Sequence, residues 1–153
     1  SVDQRDLHSF PTRRSSDLWE TGRQATDGIK YDRGIKFQLD YDPYEGAKMN
    51  NDDTVESYQN VEYLLNSNYK VFEGKMACAE EEENNQNAII KVYGDGNLLY
   101  TSPPLTSGSK PIDFTIDVSN VKVIKINASV PNVSIDGLDK SLIGIVDARL
   151  AKK

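Results

Sequence analysis

The sequence has few of the residues that carry most catalytic and cross-linking chemistry. Among its 153 residues there is one histidine, His8, and one cysteine, Cys78. A lone cysteine excludes a disulfide within the chain, and its place in an alternating apolar run indicates a small core residue rather than a nucleophile. Without histidine after residue 8, the rest of the chain cannot build a histidine-based triad or acid–base pair.

Long apolar runs and clustered basic residues are also missing. No apolar stretch approaches the roughly 20 residues that cross a bilayer as a helix. Lysine and arginine number 18 against 24 aspartate and glutamate residues, which gives a net charge of -6. Nucleic-acid binding needs a clustered basic face, and the lysines here are scattered. The sequence therefore predicts one domain that neither spans a membrane nor binds nucleic acid.

The first 18 residues differ in character from everything after them. Residues 5–18 resemble the conceptual translation of a sequencing-library adapter, and Pro11 would interrupt a helix there. The stretch has no sustained period of 2 or 3.6. We therefore expect residues 1–18 to be a non-native or disordered segment and residues 19–153 to form the domain.

From about residue 60 onward, apolar and polar residues alternate, which is typical of half-buried strands. The alternating runs cover residues 70–78, 87–93, 112–118, 122–130 and 142–150. In the last run, Leu142, Gly144, Val146, Ala148 and Leu150 are expected to share one face. Period 2 without a helical period predicts an all-β domain.

The connections between these runs support a sandwich. Asp95-Gly96 lies between two strand patterns and predicts a two-residue hairpin turn. An earlier alternation at residues 35–39 predicts one more strand, whereas residues 42–57 are polar and are expected to form a long loop. About eight antiparallel strands with short turns indicate a jelly-roll β-sandwich.

Three stretches, taken together, go beyond the fold class. They are Val61–Ala77, Val92–Pro103 with the strands of residues 112–126, and Asp147–Leu150. Within them, the positions that match a known family pattern are Tyr63, Leu65, Tyr69, Phe72, Gly74, Asp95, Gly96, Leu99, Tyr100, Asp147, Ala148, Arg149 and Leu150. In order and spacing they resemble the NPCBM family of carbohydrate-binding modules, over roughly residues 29–151. Two departures indicate a divergent member: residues 55–59 replace a Gly-x-His-Ala-x-Ser segment, and Ile145 stands where a tryptophan is common.

The resemblance implies a galactose-binding-like jelly roll that is non-catalytic and belongs to a larger, secreted or cell-surface bacterial protein. Such a module would sit beside glycoside hydrolase or other domains, and its partner would be a glycan or a cell-wall polysaccharide. The alternative is a structural or protein–protein interaction domain with no sugar site. A small glycosidase built on carboxylates is the third and least favoured class.

Candidate sugar-binding residues come from the chemistry of pyranose recognition. A sugar ring presents a C–H face that packs on an aromatic ring, and its hydroxyls need planar polar groups. Loop and terminal aromatics are therefore the first candidates, and polar loop residues the second. The candidates are Tyr44, Tyr58 and Trp19, with Asn85 and Asp136.

Two carboxylates at one strand end allow two interpretations, a structural calcium site or a solvated strand end. Asp40 and Asp42 occupy alternating positions on one strand face, where two carboxylates could share a calcium ion with loop carbonyls. No cofactor is required for the predicted function.

Overall fold

A computed structural model describes residues 19, 22–31, 34–39, 47–49, 54–80, 87–134 and 141–153. These residues form eleven strands, and eight of the strands have five or more residues. The strands are β1 Arg23–Gln24, β2 Lys30–Tyr31, β3 Gly34–Leu39, β4 Ala47–Met49, β5 Thr54–Leu64, β6 Tyr69–Cys78, β7 Ile89–Gly94, β8 Asn97–Thr101, β9 Ile112–Asp117, β10 Val123–Ser134 and β11 Ser141–Lys152.

The strands build two main antiparallel sheets and a small hairpin. The five-stranded sheet has the order β4-β5-β10-β7-β8, and the four-stranded sheet has the order β3-β11-β6-β9. Strands β1 and β2 form a separate two-stranded sheet. The described residues contain no helix, and none of them forms a helix long and apolar enough to cross a membrane. The predicted all-β sandwich is confirmed.

The core lies between the two sheets and follows the alternation of the sequence. Phe72, Met76 and Cys78 of β6 point inward, as do Ile124 and Ile126 of β10, while the polar residues between them face out. Phe72 also packs edge-on against Phe114 of β9, with ring centroids 5.1 Å apart. The predicted inner faces of these strands are confirmed, because one face of each strand must be covered by the opposite sheet.

A second, smaller apolar cluster lies on the outer face of the four-stranded sheet. Trp19 and the β1–β2 hairpin cover that face at one end; the cluster members are Trp19, Ala25, Tyr31, Ala77, Ala79, Leu142 and Val146. Trp19 is only 2% exposed, and its indole nitrogen donates to the carbonyl of Arg23 at 3.1 Å. Its ring lies over Gly144, where a Cβ would come within 2.8 Å of the ring atom Cε3.

Strand β11 departs from the single alternation that the sequence suggested. Leu142 and Val146 belong to the outer cluster, whereas Ala148 and Leu150 belong to the core between the sheets. The face changes at Asp147, which has φ 55°, where the register with β6 shifts between Val146 and Arg149. One extra residue in a bulge reverses the order of the faces, so the predicted shared face was wrong.

The prediction of a long loop over residues 42–57 was also wrong. Strand β4 and the start of β5 lie within that range, and β4 pairs with β5 from Ala47 to Met49. Strand β5 in turn pairs with β10 along ten positions. Pairing with a long neighbouring strand determines the extended conformation here, although the local sequence is polar.

The hairpin turn between β7 and β8 has the predicted chemistry. Asp95 and Gly96 have φ values of 49° and 85°, as a type I′ turn requires. The Asp95 carboxylate accepts backbone hydrogen bonds from Lys122 and Val123, the latter at 2.9 Å. These bonds hold the pKa of Asp95 below its usual value, and they tie the turn to the start of β10.

Candidate functional site

The ends of seven strands meet at one end of the sandwich. Leu39 of β3 pairs with Ser141 of β11, Cys78 of β6 lies opposite Ile143, and Ser134 of β10 lies opposite Thr54. Because neighbouring strands are antiparallel, β3, β4, β6 and β10 end where β5, β7 and β11 begin. Among the predicted sugar-binding residues, Tyr44, Asn85 and Asp136 belong to sequence stretches that join these strand ends, and they lie outside the described residues.

Tyr58 is the predicted candidate that the structure places on an accessible surface. It is partly exposed on β5, on the outer face of the five-stranded sheet and four residues from the start of the strand. Ser129 lies directly opposite it on β10. Asn60 and Asn127, the next pair on the same face, are joined by a hydrogen bond of 2.7 Å from Asn127 Nδ2 to Asn60 Oδ1. We call Tyr58, Asn60, Asn127 and Ser129 the tyrosine–amide patch.

The patch has groups that suit a polyhydroxylated ligand. After their mutual hydrogen bond, Asn60 retains its NH₂ donors and Asn127 retains a carbonyl acceptor and one N–H. Each side chain is held by the other, so the ordering of the two amides is partly achieved before a ligand binds. An aromatic ring beside fixed planar amides is the combination that sugar recognition uses.

The same sheet face becomes more apolar away from the strand ends described above. Tyr93 of β7 lies opposite Lys125 of β10, whose ammonium is 4.7 Å from the ring centroid, a cation–π contact. Leu98 of β8 lies opposite Tyr93 and is 54% exposed, and Leu64 of β5 is 59% exposed. This half of the face is therefore apolar, with charged residues beside it.

Trp19 does not offer a sugar platform in this structure. The sequence placed it at a frayed chain start, but it is buried between the hairpin and β11, and its backbone N–H donates to Gly34 at 3.1 Å. A ring without an exposed face cannot pack on a pyranose. The indole can be buried here because Gly34 and Gly144 have no side chains and leave the space that it fills.

The predicted calcium ligands, Asp40 and Asp42, lie outside the described residues. Within the described part of the chain, no group of three or more acidic, histidine or cysteine side chains is arranged to hold a metal ion. The calcium site stays a prediction.

A polar groove crosses the outer face of the other sheet, beside the N-terminal hairpin. It has a volume of about 340 Å³. It is lined by residues of β6, β9 and β11, namely Glu73, Gly74, Lys75, Asp113, Phe114, Thr115, Asp147 and Arg149. Lys75 Nζ bonds Asp113 Oδ1 at 2.6 Å, and Arg149 Nη2 lies 3.3 Å from Asp147 Oδ2.

The electrostatics of this groove are shared with the hairpin. The hydrogen bond that Lys75 donates to Asp113, together with the charges of Asp113, Asp147 and Asp27, raises the pKa of Lys75, although partial burial opposes the shift. Burial raises the pKa of Tyr31, and its hydrogen bond of 2.8 Å to Asp27 adds to the rise. Carboxylates therefore dominate the potential around the groove.

The sequence did not single out Asn60 and Asn127. Asn127 lies in the alternating run of residues 122–130, but an isolated asparagine on a solvent-facing side carries no signal of a site. Their partnership depends on the β5–β10 register, which places residues 67 positions apart side by side. A register across two distant strands cannot be inferred from local alternation.

The described residues do not present a nucleophile or an acid–base pair. Burial raises the pKa of the Cys78 thiol to about 12, so the thiolate is a negligible species near neutrality. No described carboxylate combines deep burial with a second carboxylate, which is the arrangement that tunes glycosidase acids. What the described surfaces offer is binding chemistry.

Solved carbohydrate-binding modules share this fold. A CBM51 module from GH95 of Clostridium perfringens, solved with methyl-galactose, has 17% identity and a TM-score of 0.55 over 84% of this chain and 78% of that one. Tandem CBM51 modules of a family 98 glycoside hydrolase from Streptococcus pneumoniae have 11% identity and a TM-score of 0.58 over 86% of this chain and 36% of that one. A third, ZmpB of C. perfringens, contains an M60 catalytic domain with two CBM51 domains. It has 18% identity and a TM-score of 0.52 over 85% of this chain, which spans only 12% of that chain.

The class of protein follows from the fold: this is a β-sandwich module of the kind seen in these carbohydrate-binding modules. The chain belongs to the NPCBM family, because the model of the NPCBM/NEW2 domain matches residues 54–138. No curated protein matches the chain. The resemblance expected from the sequence is confirmed.

Proposed function

We propose that this chain binds a glycan through the tyrosine–amide patch on the five-stranded sheet. In this proposal the ring of Tyr58 packs on the C–H face of one sugar, while Asn60 and Asn127 bond its hydroxyls. The single observation that carries the proposal is the 2.7 Å hydrogen bond that fixes the two amides beside Tyr58. Family membership supports the same class of ligand.

The proposal extends to the parent protein. Similar modules are parts of larger chains from bacteria, as the shares of 12% and 36% of those chains indicate. We propose that this chain likewise tethers a larger secreted or cell-surface bacterial protein to a glycan or a cell-wall polysaccharide.

Tyr44, Asn85 and Asp136 stay predicted contributors to glycan binding, on the chemical grounds that selected them from the sequence. The calcium ion predicted at Asp40 and Asp42 would have a structural role. Thermal unfolding with calcium and with a chelator tests it: a calcium site predicts a higher Tm with calcium, and equal Tm values would contradict it.

A glycan-array screen of the full chain, with and without calcium, tests the glycan proposal. At least one glycan should bind. Asn127→Ala should lower the affinity for that glycan about fivefold or more, because it removes one amide and leaves the Asn60 amide without its hydrogen-bond partner. Lys122→Ala, at the opposite end of β10, is the matched control and should leave binding unchanged. If the folded chain binds no glycan on the array, the proposal is contradicted.

A second candidate function rests on a different observation. Leu64 and Leu98 are 59% and 54% exposed on one half of the same sheet face. Exposed apolar surface of this kind often marks a protein contact. If the array is silent, a protein-interaction domain that uses this half is the favoured alternative. Leu98→Ser should then abolish a contact found by cross-linking in the parent protein, whereas Thr101→Ser on the same strand should not.

A further inference from the structure

The groove on the four-stranded sheet is a second concave surface, on the opposite side of the sandwich from the tyrosine–amide patch. It lies on the outer faces of β6, β9 and β11. Its volume of about 340 Å³ is close to the lower end of the range of about 300–1,000 Å³ for small-molecule sites. The groove can therefore hold a ligand of the size of one or two sugar rings.

The shape of the groove depends on the bulge in β11. Asp147, at φ 55°, projects where the register with β6 shifts. Gly74 lies beneath the bulge, and a Cβ there would come within 3.1 Å of the backbone of Ala148. The groove thus follows from a glycine and a left-handed residue that fit each other across two strands.

The charges in the groove do not cancel. Two cations, Lys75 and Arg149, face three carboxylates, Glu73, Asp113 and Asp147, so the lining has a net charge of -1. Lys75 is paired with Asp113, and Arg149 with Asp147. Among the described residues Glu73 has no cation within ion-pair distance, although Arg149 lies opposite it in the register.

The polar groups around Glu73 are of the kind that bond hydroxyls. Thr115 lies opposite Glu73 on β9 and offers a hydroxyl that both donates and accepts. Arg149 uses only Nη2 toward Asp147, and its guanidinium has five N–H donors in a planar fork. Groups that can bond hydroxyls thus lie around Glu73, which has no counter-charge within the part of the chain that the structure describes.

We propose that this groove binds a protonated amino sugar. The ammonium of the sugar would pair with Glu73, while Thr115 and Arg149 bond the neighbouring hydroxyls. A neutral sugar cannot form the charge-assisted bond with Glu73, and an anionic sugar is repelled by the net negative charge of the lining. The protonated amine is therefore the group for which the groove is selective. This site is separate from the tyrosine–amide patch and does not rest on it.

Titration of the ¹⁵N-labelled full chain with D-glucosamine, at a pH where its amine is protonated, tests the proposal. Amide signals of Glu73, Thr115 and Arg149 should shift and saturate. Binding should be about tenfold tighter than that of D-glucose or N-acetyl-D-glucosamine, since a hydrogen bond to a charged group carries most of the difference.

Glu73→Gln keeps the shape of the side chain and removes its charge, so it should reduce the preference for glucosamine over glucose to about one. Glu62→Gln, on the outer face of the other sheet, is the matched control and should leave the preference intact. Equal binding of the amine and neutral sugars, or an unchanged preference in Glu73→Gln, overturns the proposal. Shifts confined to Tyr58 and Asn127 also overturn it, while they support glycan binding at the patch.

Discussion

Gly144 determines how Trp19 packs on the four-stranded sheet. The ring of Trp19 covers Gly144, and the carbonyl oxygen of Ile35 lies close on the paired strand β3. A methyl group here would contact both the ring and the backbone oxygen, and neither can move without disturbing a sheet. An aromatic residue near the chain start is thereby fixed as core.

Gly144→Ala should destabilise the fold by about 3 kcal/mol, at the upper end of the usual cost of overpacking a core. Urea unfolding followed by tryptophan fluorescence measures the free energy, and Trp19 is the only tryptophan in the chain. Gly108→Ala is the matched control, because the nearest side-chain atom to a Cβ there is 3.9 Å away. Equal stability of the two variants would contradict this account of Trp19.

At the scale of elements, the hairpin β7–β8 and strand β10 are joined by one carboxylate. Hydrogen bonds from Val123 and Lys122 lower the pKa of Asp95 in the folded chain. A lowered folded pKa stabilises the protein above the unfolded value, about 4, and this contribution is lost as the pH falls through the folded pKa. Asparagine at this turn keeps an acceptor oxygen and tolerates positive φ, so it removes mainly the charge.

Asp95→Asn should therefore be less stable than the parent chain at neutral pH, and the gap should narrow below about pH 4. Urea unfolding of both proteins across this pH range measures the gap. If the difference in stability between the two proteins does not depend on pH, the charge of the Asp95 carboxylate does not cause it.

Elements were predicted from sequence where local chemistry decides the structure. The alternation in β6, β9 and β10 and the turn at Asp95-Gly96 depend on a few adjacent residues, and the structure matches them. The bulge at Asp147 was missed because a non-glycine residue with positive φ leaves no signal in the sequence. The start of β5 was missed because pairing with β10 overrides a polar composition.

The candidate site was predicted only in part, for a similar reason. Tyr58 could be selected as an aromatic residue beside a polar stretch. Its neighbours Asn60 and Asn127 became visible only through the register of two strands. Residue types indicate which chemistry is available, but the pairing of distant strands decides which groups meet.

At the scale of the whole molecule, the core between the sheets protects the single thiol. Cys78 is buried, and its pKa is raised to about 12 by burial. In the folded chain it should react with a disulfide reagent at least about 1,000-fold more slowly than a free thiol, since reaction requires opening of the core. Urea should accelerate the reaction in parallel with unfolding. A fast reaction without denaturant would contradict the packing of β6 against the five-stranded sheet.

In the two proposals, opposite faces of the sandwich bind separate ligands. The five-stranded sheet carries an aromatic ring and neutral amides, whereas the four-stranded sheet carries a charged groove. One small module could thus contact two kinds of sugar at once, and simultaneous contacts raise the overall affinity of the tethered protein.

Glycan binding at Tyr58 is the central claim, and calorimetric titration of one glycan found on the array tests it most directly. Compared with the parent chain, Tyr58→Ala should bind at least about tenfold more weakly, and Tyr58→Phe should keep most of the affinity, because the ring carries the contact. Leu98→Ala, on the same sheet face outside the patch, should bind as the parent does. Unchanged affinity in a folded Tyr58→Ala protein would contradict the account.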